Sequence, residues 1–92
     1  LVADRITSVP GSSEYFWGGI VTYTYAAKKR LLGVDPDLLL EHKAVSEPVA
    51  DAMARGALAV TGASVALSVT GVAGPGQGDE SEPVGTVYIG IA

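Results

Sequence analysis

Two runs of alternating apolar residues near the end of the chain predict a pair of β-strands. Every second side chain of residues 65–70 is a larger apolar residue, and the same pattern recurs over 86–92. The connection between them, residues 71–85, is rich in glycine, proline and acidic residues and has no helical period. Because such a segment cannot supply a crossover helix, we expect the second strand to run antiparallel to the first.

The earlier part of the chain predicts one strand followed by helices. Residues 18–25 alternate and are dominated by β-branched and aromatic side chains, which is typical of a strand. Helical spacing with helix start and stop signals predicts helices at 1–8, 26–32, 36–40 and 47–61. A strand, helices and a further strand form a parallel crossover unit. The order therefore predicts an α/β domain in which helices pack on a mixed sheet.

The composition indicates one domain with more apolar surface than it can bury alone. The chain has 92 residues, of which 48% are hydrophobic and 17% charged. Such a balance is easier to understand if further chain or a partner covers part of that surface. The sequence starts within a helical pattern at Leu1 and ends within a strand pattern at Ala92. We therefore expect residues 1–92 to be a single domain truncated at both ends.

The charge and residue types exclude several classes of partner and site. A formal net charge of −4 with no basic stripe argues against nucleic acid and anionic membranes as partners. Zero cysteines exclude disulfides and thiolate metal sites, and a single histidine, His42, cannot build a histidine cluster. No apolar stretch is long enough to span a bilayer. We expect neither a metal nor a cofactor.

The glycine-rich loop after the first strand of the pair is a candidate binding element. Gly71 and Gly74 lack a Cβ and let the backbone approach a ligand closely. The loop matches neither the P-loop pattern nor the dinucleotide fingerprint, and its acidic residues would repel phosphate. A flexible, solvated hairpin tip is the alternative.

The predicted topology brings several polar residues to one edge of the sheet. In open α/β sheets ligands lie beyond the carboxyl ends of parallel strands. The carboxyl end of the strand at 18–25 carries two tyrosines, with a lysine just beyond it, and the loop follows the strand at 65–70. The candidate residues at this edge are Tyr23, Tyr25, Lys28, Thr70, Gly71, Gly74 and Thr86.

Lys28 is the candidate general base of such a site. A lysine close to tyrosine hydroxyls and backbone dipoles can activate a hydroxyl nucleophile. Lys28 lies near the start of a helix, where the dipole disfavours a positive charge, and a solvated lysine is the alternative. Ser12 and Ser13 either cap a short turn or line the pocket, and neither has the Gly-x-Ser-x-Gly context of a nucleophile.

The chain contains several specific motifs, including Pro10-Gly11-Ser12-Ser13, Gly19-Ile20-Val21-Thr22-Tyr23, Ala27-Lys28, Thr70-Gly71-Val72-Ala73-Gly74-Pro75 and Pro83-Val84-Gly85-Thr86-Val87. These motifs resemble those of the carboxy-terminal domain of the CinA competence/damage-inducible proteins and the related nicotinamide mononucleotide deamidases. The match runs over essentially all 92 residues without gaps.

The resemblance implies a bacterial cytoplasmic amidohydrolase of the pyridine nucleotide cycle in NAD metabolism. On this resemblance, the enzyme is expected to convert nicotinamide mononucleotide to nicotinate mononucleotide and ammonia. It is expected to be a homodimer with a three-layer α/β/α fold and to need no metal. In the family a serine of a Glu-Ser-Cys-Thr-Gly-Gly segment acts with a lysine and a tyrosine. Lys28 and Tyr23 match the lysine and the tyrosine, and Tyr25 replaces an asparagine. The serine segment would end just before Leu1, outside these residues.

Three positions depart from the family pattern, and one alternative function stays open. Lys43 and Gln77 replace glycines, and Glu82 replaces a lysine that precedes Pro-Val-Gly-Thr in relatives. On the amidase hypothesis, Ser12, Ser13, Tyr25, Thr70, Gly71, Gly74 and Thr86 contribute to substrate binding. The alternative is a non-catalytic nucleotide-binding or protein-interaction module of a protein linked to competence or DNA damage.

Overall fold

The computed structural model describes residues 2–71 and 85–92. In these residues a short 3₁₀ turn at Ser12–Glu14 separates two parts of the helical region. The elements in chain order are α1 (Val2–Thr7), α2 (Tyr25–Leu32), α3 (Pro36–His42), α4 (Glu47–Thr61), β1 (Leu67–Gly71) and β2 (Val87–Ile91). The predicted helices are confirmed, with ends that differ by at most a few residues, and the α/β class is confirmed with them.

Local capping interactions explain where α2 and α3 begin. The Thr24 hydroxyl oxygen accepts a hydrogen bond from the backbone N–H of Ala27 at 3.0 Å and so caps α2. The Asp35 carboxylate accepts one from Asp37 N–H at 2.9 Å and caps α3. Gly33 ends α2 in the left-handed conformation, with φ 67°, which a residue without Cβ adopts at little cost.

The two strands form an antiparallel pair, as the loop composition predicted. Val69 lies opposite Ile89 in the register. Ala66 and Ala92 exchange both backbone hydrogen bonds, at 3.0 and 2.9 Å. Hydrogen-bonded and non-hydrogen-bonded pairs alternate in such a ladder, so the backbone polar groups of Leu67, Val69 and Gly71 face away from β2.

α4 carries the core on one side and the sheet on the other. Val49 in its first turn is fully buried, and Met53 one turn later lies in the same cluster. Residues of α2, α3 and the segments after them complete this cluster, which contains Leu32, Val34, Leu39, Ala44, Val49 and Met53. Burial of these apolar side chains is the main force that holds the helices together.

The sheet packs on α4 through its hydroxyl-bearing face. Ser68 and Thr70 of β1 are buried, whereas the larger apolar side chains of both strands are exposed, namely Leu67, Val69, Val87, Ile89 and Ile91. Ser68 Oγ donates a hydrogen bond to the carbonyl oxygen of Ala50 in α4. This hydrogen bond satisfies the buried hydroxyl. In the described part of the chain, helices therefore cover one face of the sheet.

The strand predicted at 18–25 is wrong. Residues 18–23 have no regular secondary structure, and Tyr25 begins α2. The side chains of Val21 and Tyr23 are 87% and 93% exposed. Alternation alone cannot create a strand, because a strand also needs a neighbouring backbone to pair with. The parallel crossover unit is wrong for the same reason: the sheet of the described residues has two antiparallel strands and is not mixed.

Gly90 permits the close approach of β2 to α4. It lies opposite Ser68 in the ladder and is buried. A Cβ at this position would collide with the carbonyl oxygen of Ala50 and the hydroxyl of Ser68. The backbone carbonyl cannot move without disturbing α4, so a larger residue would push the strand off the helix.

We predict that Gly90→Ala lowers the free energy of unfolding by roughly 1–3 kcal/mol, as overpacking commonly does. Gly19→Ala is the matched control, because a Cβ there would meet nothing within 4 Å. Chemical denaturation followed by circular dichroism measures both. Equal losses in the two variants would contradict the proposed crowding.

Lys43 occupies a backbone conformation that suits glycine. Its φ of 65° and ψ of 166° lie in a region that is essentially restricted to glycine. Lys43 lies directly after α3, and its N–H donates a hydrogen bond of 2.9 Å to the carbonyl oxygen of Leu39. The structure thus agrees with the sequence-based expectation of a glycine at this position.

We predict that Lys43→Gly raises the free energy of unfolding by about 1 kcal/mol, since it relieves backbone strain that exceeds the entropic cost of glycine. Lys29→Gly, at an exposed position inside α2, should lower it by about 1 kcal/mol. Thermal and urea unfolding measure whether the free energy of unfolding rises or falls in each variant. A destabilised Lys43→Gly protein would contradict the strain.

Candidate functional site

A cleft of about 1530 Å³ separates the irregular segment 13–23 from residues 61–71. One wall is the segment itself, and the other is β1 with the residues that lead into it. Lys28 and Leu32 of α2 and Met53 of α4 also line the cleft. β1 lines the cleft and none of the described residues of β2 does, so we infer that the backbone groups of β1 that face away from β2 lie on this side. The cleft therefore offers backbone donors and acceptors together with a lysine.

Lys28 is buried, so the interpretation of it as a solvated lysine is wrong. Its side chain is 6% exposed, and its Nζ donates a hydrogen bond of 2.7 Å to the carbonyl oxygen of Thr22. Burying an amine or ammonium group is costly unless it is hydrogen-bonded, and the Thr22 carbonyl lowers this cost. The interaction also fixes the amine at the wall of the cleft.

Thr70 links the end of β1 to the loop before α4. Thr70 is 7% exposed, and its hydroxyl donates a hydrogen bond of 2.9 Å to the carbonyl oxygen of Ala44. The N–H of Ala44 in turn donates to the hydroxyl oxygen of Tyr25 at 3.1 Å. One residue is thus held from both sides, by β1 and by the first residue of α2.

The structure brings together five of the predicted site residues. Ser13, Tyr23, Lys28, Thr70 and Gly71 all line the cleft. Lys28 and the carboxyl end of β1 therefore line the same cleft, although the described residues contain no strand before Lys28. The roles of these residues in binding or catalysis stay predictions.

The other predicted residues are placed elsewhere. Ser12 is buried within the 3₁₀ turn, and Thr86 is half-buried just before β2. Tyr25 lines a separate apolar pocket of about 270 Å³ between α2 and α3 and bonds to Ala44. Gly74, like Gln77 and Glu82, lies outside the described residues. The geometry therefore gives Ser12, Tyr25 and Thr86 no direct place in the cleft.

Two residues that matter here were missed by sequence reasoning. Thr22 supplies the carbonyl that holds Lys28, and a backbone carbonyl has no signature in the sequence. Thr24 caps α2, and here a signal existed, because threonine shortly before a helical pattern is a common N-cap. The predicted strand through residue 25 obscured it.

Two findings concern other kinds of site. Within residues 2–71 and 85–92, no three His, Cys, Asp or Glu side chains lie close enough together to hold a metal ion. Among the helices that the structure describes, none has the length and apolar character required to cross a membrane.

Comparison with known proteins decides the family. A family model described as the CinA C-terminal domain matches residues 1–92. This chain belongs to the CinA C-terminal domain family. A CinA-like protein of Geobacter sulfurreducens is 59% identical over 92 residues, and one of Mycobacterium marinum is 60% identical over 87 residues. These alignments cover 100% and 95% of this chain but 22% and 20% of the relatives.

Solved structures of CinA superfamily proteins share the fold. A competence-damaged protein (CinA) superfamily protein of Escherichia coli superposes with a TM-score of 0.91 at 34% identity. The competence/damage inducible protein CihA of Agrobacterium tumefaciens gives 0.90 at 43% identity. Both cover 98% of this chain, and 52% and 55% of those chains. This CinA C-terminal domain chain thus spans about half of the solved relatives and about a fifth of the curated ones.

We predict that the Thr70 hydroxyl contributes to stability. Thr70→Val keeps the shape but leaves the buried Ala44 carbonyl without this donor, which should cost about 1–3 kcal/mol. Thr70→Ser keeps the hydroxyl and should cost less. Urea denaturation of the two variants measures the difference. If Thr70→Val were as stable as Thr70→Ser, the hydrogen bond would not contribute to the free energy of unfolding.

Proposed function

We propose that the protein to which this CinA C-terminal domain belongs is an amidohydrolase that converts nicotinamide mononucleotide to nicotinate mononucleotide and ammonia. The observation that supports this most is the buried Lys28, whose amine is fixed on the Thr22 carbonyl in a cleft that the end of β1 also lines. A fixed amine in a cleft is what general-base activation of a hydroxyl nucleophile requires. Membership of the family and the motif match at Lys28 and Tyr23 point the same way.

In the proposed mechanism Lys28 handles the proton of the nucleophile. A serine hydroxyl, supplied by the segment that the family resemblance implies, attacks the carboxamide carbon while Lys28 takes its proton. The C–N bond then breaks, and the lysine returns the proton to the departing ammonia. Water hydrolyses the resulting ester to the carboxylate and regenerates the serine. The Thr22 carbonyl holds the lysine in this scheme, and Tyr23, which lines the same cleft, is a candidate to assist it.

The end of β1 is suited to stabilise the negative charge that forms in such a reaction. The N–H groups of Val69 and Gly71 face away from β2 on the side of the cleft. Backbone donors that are already held in place stabilise an oxyanion without reorganising. Thr70 between them is fixed by its bond to Ala44, which keeps this part of the strand in position.

The remaining parts of the proposal concern the setting of the reaction. We propose that the protein acts in the cytoplasm as a homodimer, with no cofactor. Ser13 and Gly71 line the cleft and are candidates for substrate contacts. Gly74 and the rest of the glycine-rich loop are further candidates on sequence grounds.

The proposal predicts that Lys28→Met in the full-length protein lowers kcat for ammonia release from nicotinamide mononucleotide by about 10²–10⁴-fold, the usual contribution of a general base. Methionine keeps most of the volume and removes the amine. Lys29→Met is the control, because Lys29 is the exposed neighbour in the same helix. A coupled ammonia assay measures turnover, and circular dichroism confirms folding.

Two outcomes would contradict the proposal in different ways. Wild-type turnover by folded Lys28→Met would remove Lys28 from the mechanism. Tight binding of nicotinamide mononucleotide by the wild-type protein without ammonia release would overturn the amidase and favour a nucleotide-binding module.

A further inference from the structure

Lys28 is attached at two points to the short stretch that precedes its helix. Its Nζ donates to the carbonyl of Thr22 at 2.7 Å, and its backbone N–H donates to the carbonyl of Thr24 at 3.1 Å. The second bond joins Lys28 to Thr24, the residue just before the start of α2, with the i to i−4 spacing of an α-helix. It therefore closes the first turn of α2. The position of the amine therefore depends on whether this first turn is formed.

The side chain of Thr24 controls that turn. Its backbone is extended, with φ −113° and ψ 163°, and the chain becomes helical at the next residue. Its hydroxyl accepts from Ala27 N–H, one of the donors that the helix itself cannot satisfy. The bond lies at the surface, where water competes for the same N–H once the hydroxyl is removed. A first turn without a cap frays more readily, and this effect is larger in a short helix such as α2, which has 8 residues.

We propose that Thr24 is a positioning residue for Lys28: its cap keeps the first turn of α2 closed and thereby holds the lysine amine on the Thr22 carbonyl at the cleft wall. Opening the turn releases the Lys28 backbone from Thr24 and separates the amine from Thr22. The catalytic consequence rests on the proposed amidase function, whereas the positioning itself does not. Thr24 is the N-cap residue of α2, and its side chain makes the capping bond.

The first experiment measures the accessibility of the Lys28 amine in the full-length protein without any reference to activity. The protein is treated briefly with a limiting amount of acetic anhydride, and the acetylation of each lysine is quantified by peptide mass spectrometry. In the wild type, the buried Lys28 should react much more slowly than its exposed neighbour Lys29. Thr24→Val should raise the Lys28 rate about fivefold, the factor expected for a cap worth about 1 kcal/mol. Thr24→Ser, which retains the hydroxyl, should restore the slow rate.

A matched control separates positioning from general destabilisation. Asp35 is the N-cap of the neighbouring helix α3 and makes the same kind of bond, to Asp37 N–H. Asp35→Ala should lower the free energy of unfolding by about as much as Thr24→Val, yet leave Lys28 slow to react. Thr24→Ala serves as a second uncapped variant and should match Thr24→Val.

The second experiment measures turnover of nicotinamide mononucleotide by the same variants. Thr24→Val should lower kcat several-fold with little change in KM, because the substrate contacts remain and the base is displaced. Thr24→Ser should recover kcat, and Asp35→Ala should change neither constant.

The proposal is overturned if Lys28 stays equally slow to acetylate in both uncapped Thr24 variants, or if Asp35→Ala accelerates its acetylation as much as they do. A wild-type protein without ammonia release refutes the amidase function alone. In that case the acetylation rates still decide the role of Thr24.

Discussion

The attachment of β1 to the helices is the constraint on which the cleft depends. Thr70 bonds to the carbonyl of Ala44, and the N–H of Ala44 bonds to Tyr25 in the first turn of α2. Lys28 follows Tyr25 in the same helix. This chain of contacts connects β1, at one wall of the cleft, to the helix that carries the candidate base. It is built from polar groups that are held in buried or half-buried positions, where each bond also removes an unsatisfied donor or acceptor.

In this strand pair the buried face carries hydroxyl groups and the exposed face carries the larger apolar side chains, which is the reverse of the usual arrangement. The hydroxyl of Ser68 in β1 bonds to α4, whereas the larger apolar side chains face outward. Small side chains and Gly90 allow the sheet to approach the helix closely, and the hydroxyls can then reach backbone carbonyls. The composition had indicated apolar surface beyond what a small domain can bury. The structure locates such surface on the outer face of the two strands, in a chain that spans about half of its solved relatives.

In this chain the candidate role of Lys28 depends on where the fold holds its amine as well as on the motif around it. The carbonyl of Thr22 holds the Lys28 amine, and we propose that the cap at Thr24 maintains this position. A base must be held within a short distance of its proton, and small displacements reduce the rate strongly. Residues that fix the first turn of α2 are therefore as relevant to the amine as its direct neighbours.

The sequence by itself determined the helices, the antiparallel strand pair and the family. These features are local or short-range: caps, glycine stops, a loop too irregular to hold a helix, and motifs that can be read directly. Tertiary structure decided the rest. Whether residues 18–25 pair as a strand depends on a distant backbone, and in the described residues they do not. Which face of β1 is buried, and that Lys28 is buried while Tyr25 bonds to Ala44, depend on partners 6 to 26 positions away along the chain. Periodicity records only the spacing of side chains, so it cannot specify which distant group satisfies a buried hydroxyl or amine.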